Sequence, residues 1–220
     1  MIFIPIRFAN HYTTYHKKFV TWSKVGIFSL AHKITVKHAR VNELITDEDL
    51  NTLSIDTSMI KNNRGVDEIG PNHYDRFRNA TKVSRLRRIV VSQQGIPLGL
   101  SFKGANVHDI KMVFDTIDDV QIKIAGSSTL ADKGYNSIEL KKEMKEKYHT
   151  NMIYPLKKNQ TNVEFTDAEK NKLKERTIVE NFFAWMKSYR RLLMRYEKNV
   201  INYASFCYLG ATNILCNKVF

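Results

Sequence analysis

From residue 50 onward, short apolar runs of strand length alternate with longer segments of helical periodicity, and this alternation restricts the chain to a layered α/β domain. TLSIDTSMI (52–60) reads as a strand, and the polar stretch rich in Asn, Arg and Gly from Lys61 to about Thr81 reads as a loop. RRIVVSQQGIPLGLSFKG predicts a hairpin of two strands around the Gly95–Pro97 turn. NVHDIKMVFDTIDDV places Ile110, Val113, Phe114 and Ile117 on one helix face, and SSTLADKGY is a short strand ending at Asp132. NSIELKKEMKEKY is a helix opened by Asn136, with Glu139 three residues on in the manner of a capping box. TNMIYP is a strand stopped by Pro155, KKNQTNVEF is loop, and Thr166 with Glu169 opens a further helical region. The order β, ββ, α, β, α, β, α predicts a mixed sheet: an early antiparallel hairpin, then parallel strands joined through helices.

Residues 1–48 read as a separate helical and basic segment, leaving 49–220 as the main domain. In TTYHKKFVTWSKVGIF the residues Tyr15, Phe19, Trp22 and Val25 fall on one helix face, which predicts a core-facing stripe. VINYASFCYLGATNILCNKVF at the other end is apolar but interrupted by Asn202, Asn213 and Asn217, so it reads as a buried terminal helix and not a membrane span. Cys207 and Cys216 lie within it and are expected as buried reduced thiols. The first residues lack the charged n-region and long apolar core of a signal peptide. Hydrophobic residues make up 43% of the 220, enough for a packed core.

The formal net charge of +13 points to a polyanionic partner, most simply nucleic acid. No Cys/His cluster has zinc spacing, no glycine loop of the Walker type is present, and no Ser-His-Asp or Cys-His arrangement stands out. What remains for chemistry is carboxylates. Asp56 lies in or at the end of the first strand and Asp132 at the end of a later one. If those strands are parallel neighbours, the two acids meet at one sheet edge, where α/β folds gather ligands. A third acid from a packed helix would complete an oxygen-rich site of the kind Mg²⁺ or Mn²⁺ prefers. The alternative is that each Asp serves turn chemistry alone. The helix in ERTIVENFFAWMKSYRRLLMRYEK offers the third acid. At about 100° per residue, Arg176, Glu180 and Lys187 share one side within about 40°, opposite an apolar stripe of Ile178, Phe182, Trp185, Tyr189 and Leu192. On the helix alone, an i, i+4 pair between Arg176 and Glu180 on a solvated face is the more direct reading.

These segments resemble bacterial insertion-sequence transposases of the DDE class, in the group whose third motif is Tyr-x2-Arg-x3-Glu-x6-Lys. RTIVENFFAWMK supplies Arg176, Glu180 and Lys187 at that spacing, although the tyrosine position is Leu173. LSIDTSMIK resembles the first-aspartate strand, LADKGYNS the second with its Asp-x-Gly-Tyr, and the stretch from Asn79 to Asp109 the hairpin between them with its terminal His-Asp. The resemblance covers almost the whole chain. It implies an RNase H-like catalytic domain over 49–220 in which Asp56, Asp132 and Glu180 bind two Mg²⁺ (or Mn²⁺) ions. It also implies an enzyme that cleaves the ends of its element and joins them to target DNA. Arg176 and Lys187 would contact the DNA backbone. Lys82, Arg85, Arg87 and Arg88 around the hairpin, and Arg190, Arg191, Arg195 and Lys198 further on, would line the DNA path. The family usually has a longer N-terminal region with a helix-turn-helix, of which residues 1–48 resemble the tail; a shortened chain is therefore expected. The implied partner is double-stranded DNA, bound as a homodimer in the cytoplasm at the nucleoid. Two other readings stay open: a catalytically silent DNA-binding remnant, and a related metal-dependent nuclease. His73 and His108 are expected to be solvated, Asp109 to cap a helix, and Trp185 to lie in the core.

Overall fold

The computed structural model describes residues 12–71, 79–88, 95–155, 166–175, 186 and 188–219. Strand β1 (Thr52–Asn62) runs through the middle of a mixed sheet. On one side β3 (Asn79–Arg88) pairs with it antiparallel, Asp56 opposite Arg85 and Ile60 opposite Thr81, and β4 (Ile96–Gly104) pairs antiparallel with β3. On the other side β5 (Ser128–Leu130) and β6 (Asn151–Ile153) both run parallel to β1. Two short strands complete the sheet: β2 (Gly70–Pro71) on β3, and β7 (Met194–Arg195) along the far end of β1. The order β4-β3-β1-β5-β6, an antiparallel meander followed by two parallel strands on the opposite edge, is the RNase H-like arrangement. The expected mixed α/β architecture is the one observed.

Both faces are covered. A 3₁₀ turn η1 (Asp109–Met112) leads into α4 (Val113–Asp118), which lies on β3 and β4. Gly99 permits the approach: a Cβ there would sit 2.6 Å from the Thr116 carbonyl oxygen. The terminal helix α8 (Val200–Val219) packs on β4 and on α2 (Ile27–Val41). It is the buried helix the sequence suggests, carrying Tyr203, Cys207 and Ala211 into a cluster with Ile60, Val83 and Leu100. Cys207 is buried and Cys216 is exposed, so only the first meets the expectation of burial. Among the described residues no helix is long and apolar enough to cross a membrane.

A second cluster joins Leu53, Ile55, Leu98, Val113, Ile117 and Met152 to Val36 and Ala39 of α2. The core therefore continues across residue 48. A Thr46–Asp49 capping box opens α3 (Asp47–Leu50), which leads directly into β1. The first helix, α1 (Tyr12–Lys24), departs from expectation. Phe19 stacks on Phe206 at 4.5 Å, but Tyr15, Trp22 and Val25 are 43%, 47% and 68% exposed. The stripe is real but only partly covered: Phe19 and the buried Ser23 pack inward, while Tyr15, Trp22 and Val25 keep much of their surface in solvent.

Three boundaries also differ. The expected loop over 61–81 holds the end of β1, all of β2 and the start of β3, because Gly70, Ala80 and Thr81 are buried in the ladder. Helix α5 (Ile138–Tyr148) is capped by Ser137, whose Oγ accepts from Leu140 N–H, one residue later than Asn136. The helical reading through Lys198 ends at α7 (Arg190–Leu193), where Met194 and Arg195 turn into β7. The Thr166–Glu169 box forms as the sequence suggests and opens α6 (Asp167–Glu175).

Candidate active site

The last β1–β5 pair is Ser54 opposite Leu130. Asp56 and Asp132 each lie two residues further along these parallel chains. Because side chains alternate with period two and parallel neighbours lie about 4.8 Å apart, both acids emerge side by side on one face. Each is half-buried. Each is also oriented by a following backbone amide. Thr57 N–H donates to Asp56 Oδ1 at 2.8 Å, and Lys133 N–H donates to Asp132 Oδ1 at 2.6 Å. Asp132 is the N-cap of the 3₁₀ turn η2 (Lys133–Tyr135) and takes an extended backbone there.

Tyr135 closes η2 behind this pair and is 1% exposed. Its hydroxyl makes no hydrogen bond of normal geometry among the described residues, although the Thr57 side chain faces it. Burial first, then the negative charges of Asp109, Asp56 and Asp132, push the phenol far above its usual pKa. It is therefore a neutral donor, set within the field of three carboxylates. An unmade hydrogen bond in such a place costs about 1–3 kcal/mol.

Lys82 requires a correction. It is 3% exposed, and its Nζ donates to Asp109 Oδ1 and to the Val107 carbonyl, each at 2.7 Å. An ammonium spent on internal partners is not a surface contact for a phosphate. Asp109 is not the cap either: His108 occupies that position, its Nδ1 accepting from Ile110 N–H at 3.3 Å. Arg195 is likewise withdrawn from solvent at 0% exposure. It donates to the Asp67 carbonyl, to Thr81 Oγ1 and to the carbonyls of Glu197 and Lys198, and it pairs with the Asp67 carboxylate. Of the other basic residues, Arg190 and Lys198 are exposed, while Arg191 donates from Nε to Glu197 Oε1 at 3.0 Å and stacks over Phe206. Glu180, Arg176, Lys187, Trp185 and His73 lie outside the described residues, as do the side chains of Arg85, Arg87 and Arg88.

Among the described residues no three Asp, Glu, His or Cys side chains gather as a metal site. Asp56 and Asp132 offer two oxygen donors in suitable register; the third expected ligand is Glu180.

At the far end of β1, about 20 Å along the strand from Asp56, a cleft of about 670 Å³ opens between α1 and the start of α8. Its walls carry Tyr12, Tyr15 and His16 with Arg64, Arg191 and Lys198. Sequence reading placed Tyr15 in the core and gave Arg64 no role.

Residues 51–211 match the family model described as "Transposase DDE domain". The chain belongs to the transposase DDE domain family. The bacterial insertion-sequence character expected from the motifs is supported by a Burkholderia cepacia protein named as a transposase for insertion sequence element IS402. It is 28% identical over 164 residues, which are 70% of this chain and 72% of that one. Among solved structures, the piggyBac transposase synaptic complex with hairpin DNA aligns at a TM-score of 0.47 and 8% identity, covering 77% of this chain and 46% of that chain. The Mos1 transposase paired-end complex with left transposon end aligns at a TM-score of 0.34 and 8% identity, covering 100% of this chain and 66% of that chain. In this transposase-family chain, Asp56 and Asp132 both fall inside the matched span.

Proposed function

We propose that the chain is a DNA transposase that cleaves the ends of an insertion element and joins them to target DNA. In this reading Asp56, Asp132 and Glu180 hold two Mg²⁺ or Mn²⁺ ions. The observation that carries it is the register of β1 and β5, which sets Asp56 beside Asp132 within a transposase DDE domain. Bound divalent ions would activate the attacking oxygen and stabilise the leaving one in phosphodiester exchange. The protein's own part is positional. The Thr57 and Lys133 amides fix the two carboxylates, and backbone hydrogen bonds within the sheet hold the strands that carry them. The exposed Arg190, together with Arg176 and Lys187 of the signature motif, would grip phosphates while the ions act on the scissile bond. The cleft with Tyr12, Tyr15, Arg64 and Lys198 combines aromatic faces with positive charge, a surface suited to DNA away from the reacting bond. Two subunits on DNA would bring two element ends together.

The test is a Mg²⁺-dependent nicking and strand-transfer assay on a plasmid carrying the DNA that flanks the gene, with Asp132→Asn beside the native protein. Nicked and joined products from the native protein alone are expected. Equal products from both proteins sink the metal-site assignment. Nicking without joining favours the nuclease, and DNA binding with neither product favours the silent remnant.

A further inference from the structure

We propose that Tyr135 is a positioning residue for the Asp56–Asp132 pair, its buried hydroxyl donating a hydrogen bond to that carboxylate pair when a divalent cation is bound. The inference rests on the metal site proposed above. Three observations lead to it. The phenol is 1% exposed and leaves its hydroxyl without a hydrogen bond of normal geometry among the described residues, an arrangement that folded proteins keep rarely and for a reason. Its position is imposed from both sides. It ends the 3₁₀ turn that Asp132 itself caps, and that turn packs against η1, whose first residue Asp109 is fixed by Lys82. The field of Asp109, Asp56 and Asp132 falls on the same oxygen, so the acceptors it needs are the acids already assigned to the metal.

The arrangement also separates the roles of three carboxylates. Asp109 is neutralised by a buried ammonium and stays with the scaffold. Asp56 and Asp132 each accept an amide hydrogen bond from the next residue. A donor behind a metal-binding carboxylate fixes which oxygen faces the ion, and loss of such a donor typically weakens metal binding by about 10–100-fold. A tyrosine suits the task because its phenol stays protonated in this negative field.

The test compares the native protein, Tyr135→Phe and Asp132→Asn by Mn²⁺ titration followed by electron paramagnetic resonance, with thermal unfolding in the absence and presence of Mn²⁺. Tyr135→Phe keeps the ring and its packing. Its unfolding midpoint without metal is expected at or slightly above the native value, because a buried hydroxyl without a bond is removed. Its Mn²⁺ dissociation constant should rise about tenfold or more, and the upward shift in midpoint produced by Mn²⁺ should shrink. Native Mn²⁺ affinity in Tyr135→Phe, with affinity lost in Asp132→Asn, overturns the role of Tyr135 and leaves the metal site standing. A lower metal-free midpoint with native Mn²⁺ affinity makes Tyr135 a packing residue and overturns it too. Equal Mn²⁺ binding by native protein and Asp132→Asn removes the metal site itself, and the inference with it.

Discussion

Lys82 Nζ stands 2.7 Å from Asp109 Oδ1, with the lysine side chain 4% exposed and the aspartate 31% exposed. A buried cation with one carboxylate and one carbonyl as its partners tolerates loss of the carboxylate poorly. Asp109→Asn should lower unfolding stability by about 2–3 kcal/mol, at or just below the ~3–5 kcal/mol lost when a fully buried pair is broken, because solvent reaches Asp109. Lys82→Met should cost less, since it removes the buried charge and keeps the stem volume. Urea unfolding of both variants at neutral pH checks the order; a larger loss in Lys82→Met contradicts the account.

Arg195 ties together segments far apart in sequence. Its guanidinium reaches Asp67 and Thr81, and Asp67 Oδ1 also accepts from Val200 N–H at 2.8 Å, at the start of α8. The planar fork fills these bonds in a way a lysine ammonium cannot. Arg195→Lys is therefore expected to lose about 3 kcal/mol or more and to loosen the start of α8. Hydrogen exchange at the first amides of α8 measures it, and protection equal to the native protein would refute it.

The contrast between Lys82 and Arg190 explains how far the sequence reaches. Strand and helix order was legible because period-two and period-3.6 patterns survive in the apolar residues, as at Leu53 and Ile55 or Val113 and Ile117. Asp56 and Asp132 could be named from their strand-end positions, but only the parallel register made them neighbours. Charge carries no comparable pattern. Lys82 sits between buried Thr81 and Val83, and nothing local distinguishes its ammonium from an exposed one. Its burial depends on Asp109, 27 residues away. Arg195 depends on Asp67, 128 residues away. Tyr15 and Trp22 erred in the opposite sense: an apolar stripe shows that a helix has a face, not that another element covers it.

His32 sets an acid limit on stability. It is fully buried against Tyr208, with Asp119 and Lys33 as the charged groups facing it. The Pro97 carbonyl lies near the ring without closing a hydrogen bond of normal geometry. Burial outweighs the attraction of Asp119 and lowers its pKa from 6.5 to about 4. Above pH 6.5 the ring is neutral in both folded and unfolded chains, and its environment is fully tolerated. Below that the unfolded chain binds a proton that the folded chain refuses, so stability falls until the folded ring also titrates near 4. The loss should be about 2 kcal/mol by pH 5 and about 3 kcal/mol by pH 4. Denaturant unfolding of native protein and His32→Phe at pH 7 and pH 5 isolates it. The native protein should lose more over that interval, and equal losses would contradict the assignment.

DNA affinity separates charge from stacking. Each phosphate neutralised by a side chain adds about −0.9 to the slope of log affinity against log salt for duplex DNA. Arg190 is exposed at the start of α7, and Arg64 lines the cleft at the far end of β1. Arg190→Ala and Arg64→Ala should each reduce the magnitude of that slope by about 1. Tyr15→Ala should weaken binding through lost contact with bases or sugars while leaving the slope unchanged, because no charge is removed. Fluorescence anisotropy with a labelled duplex at several salt concentrations provides both readings. If Arg64→Ala keeps the native slope while Arg190→Ala reduces it, DNA passes the metal site without entering the cleft. If neither variant changes the slope, the positive charge of the chain is not organised as a DNA path along these residues.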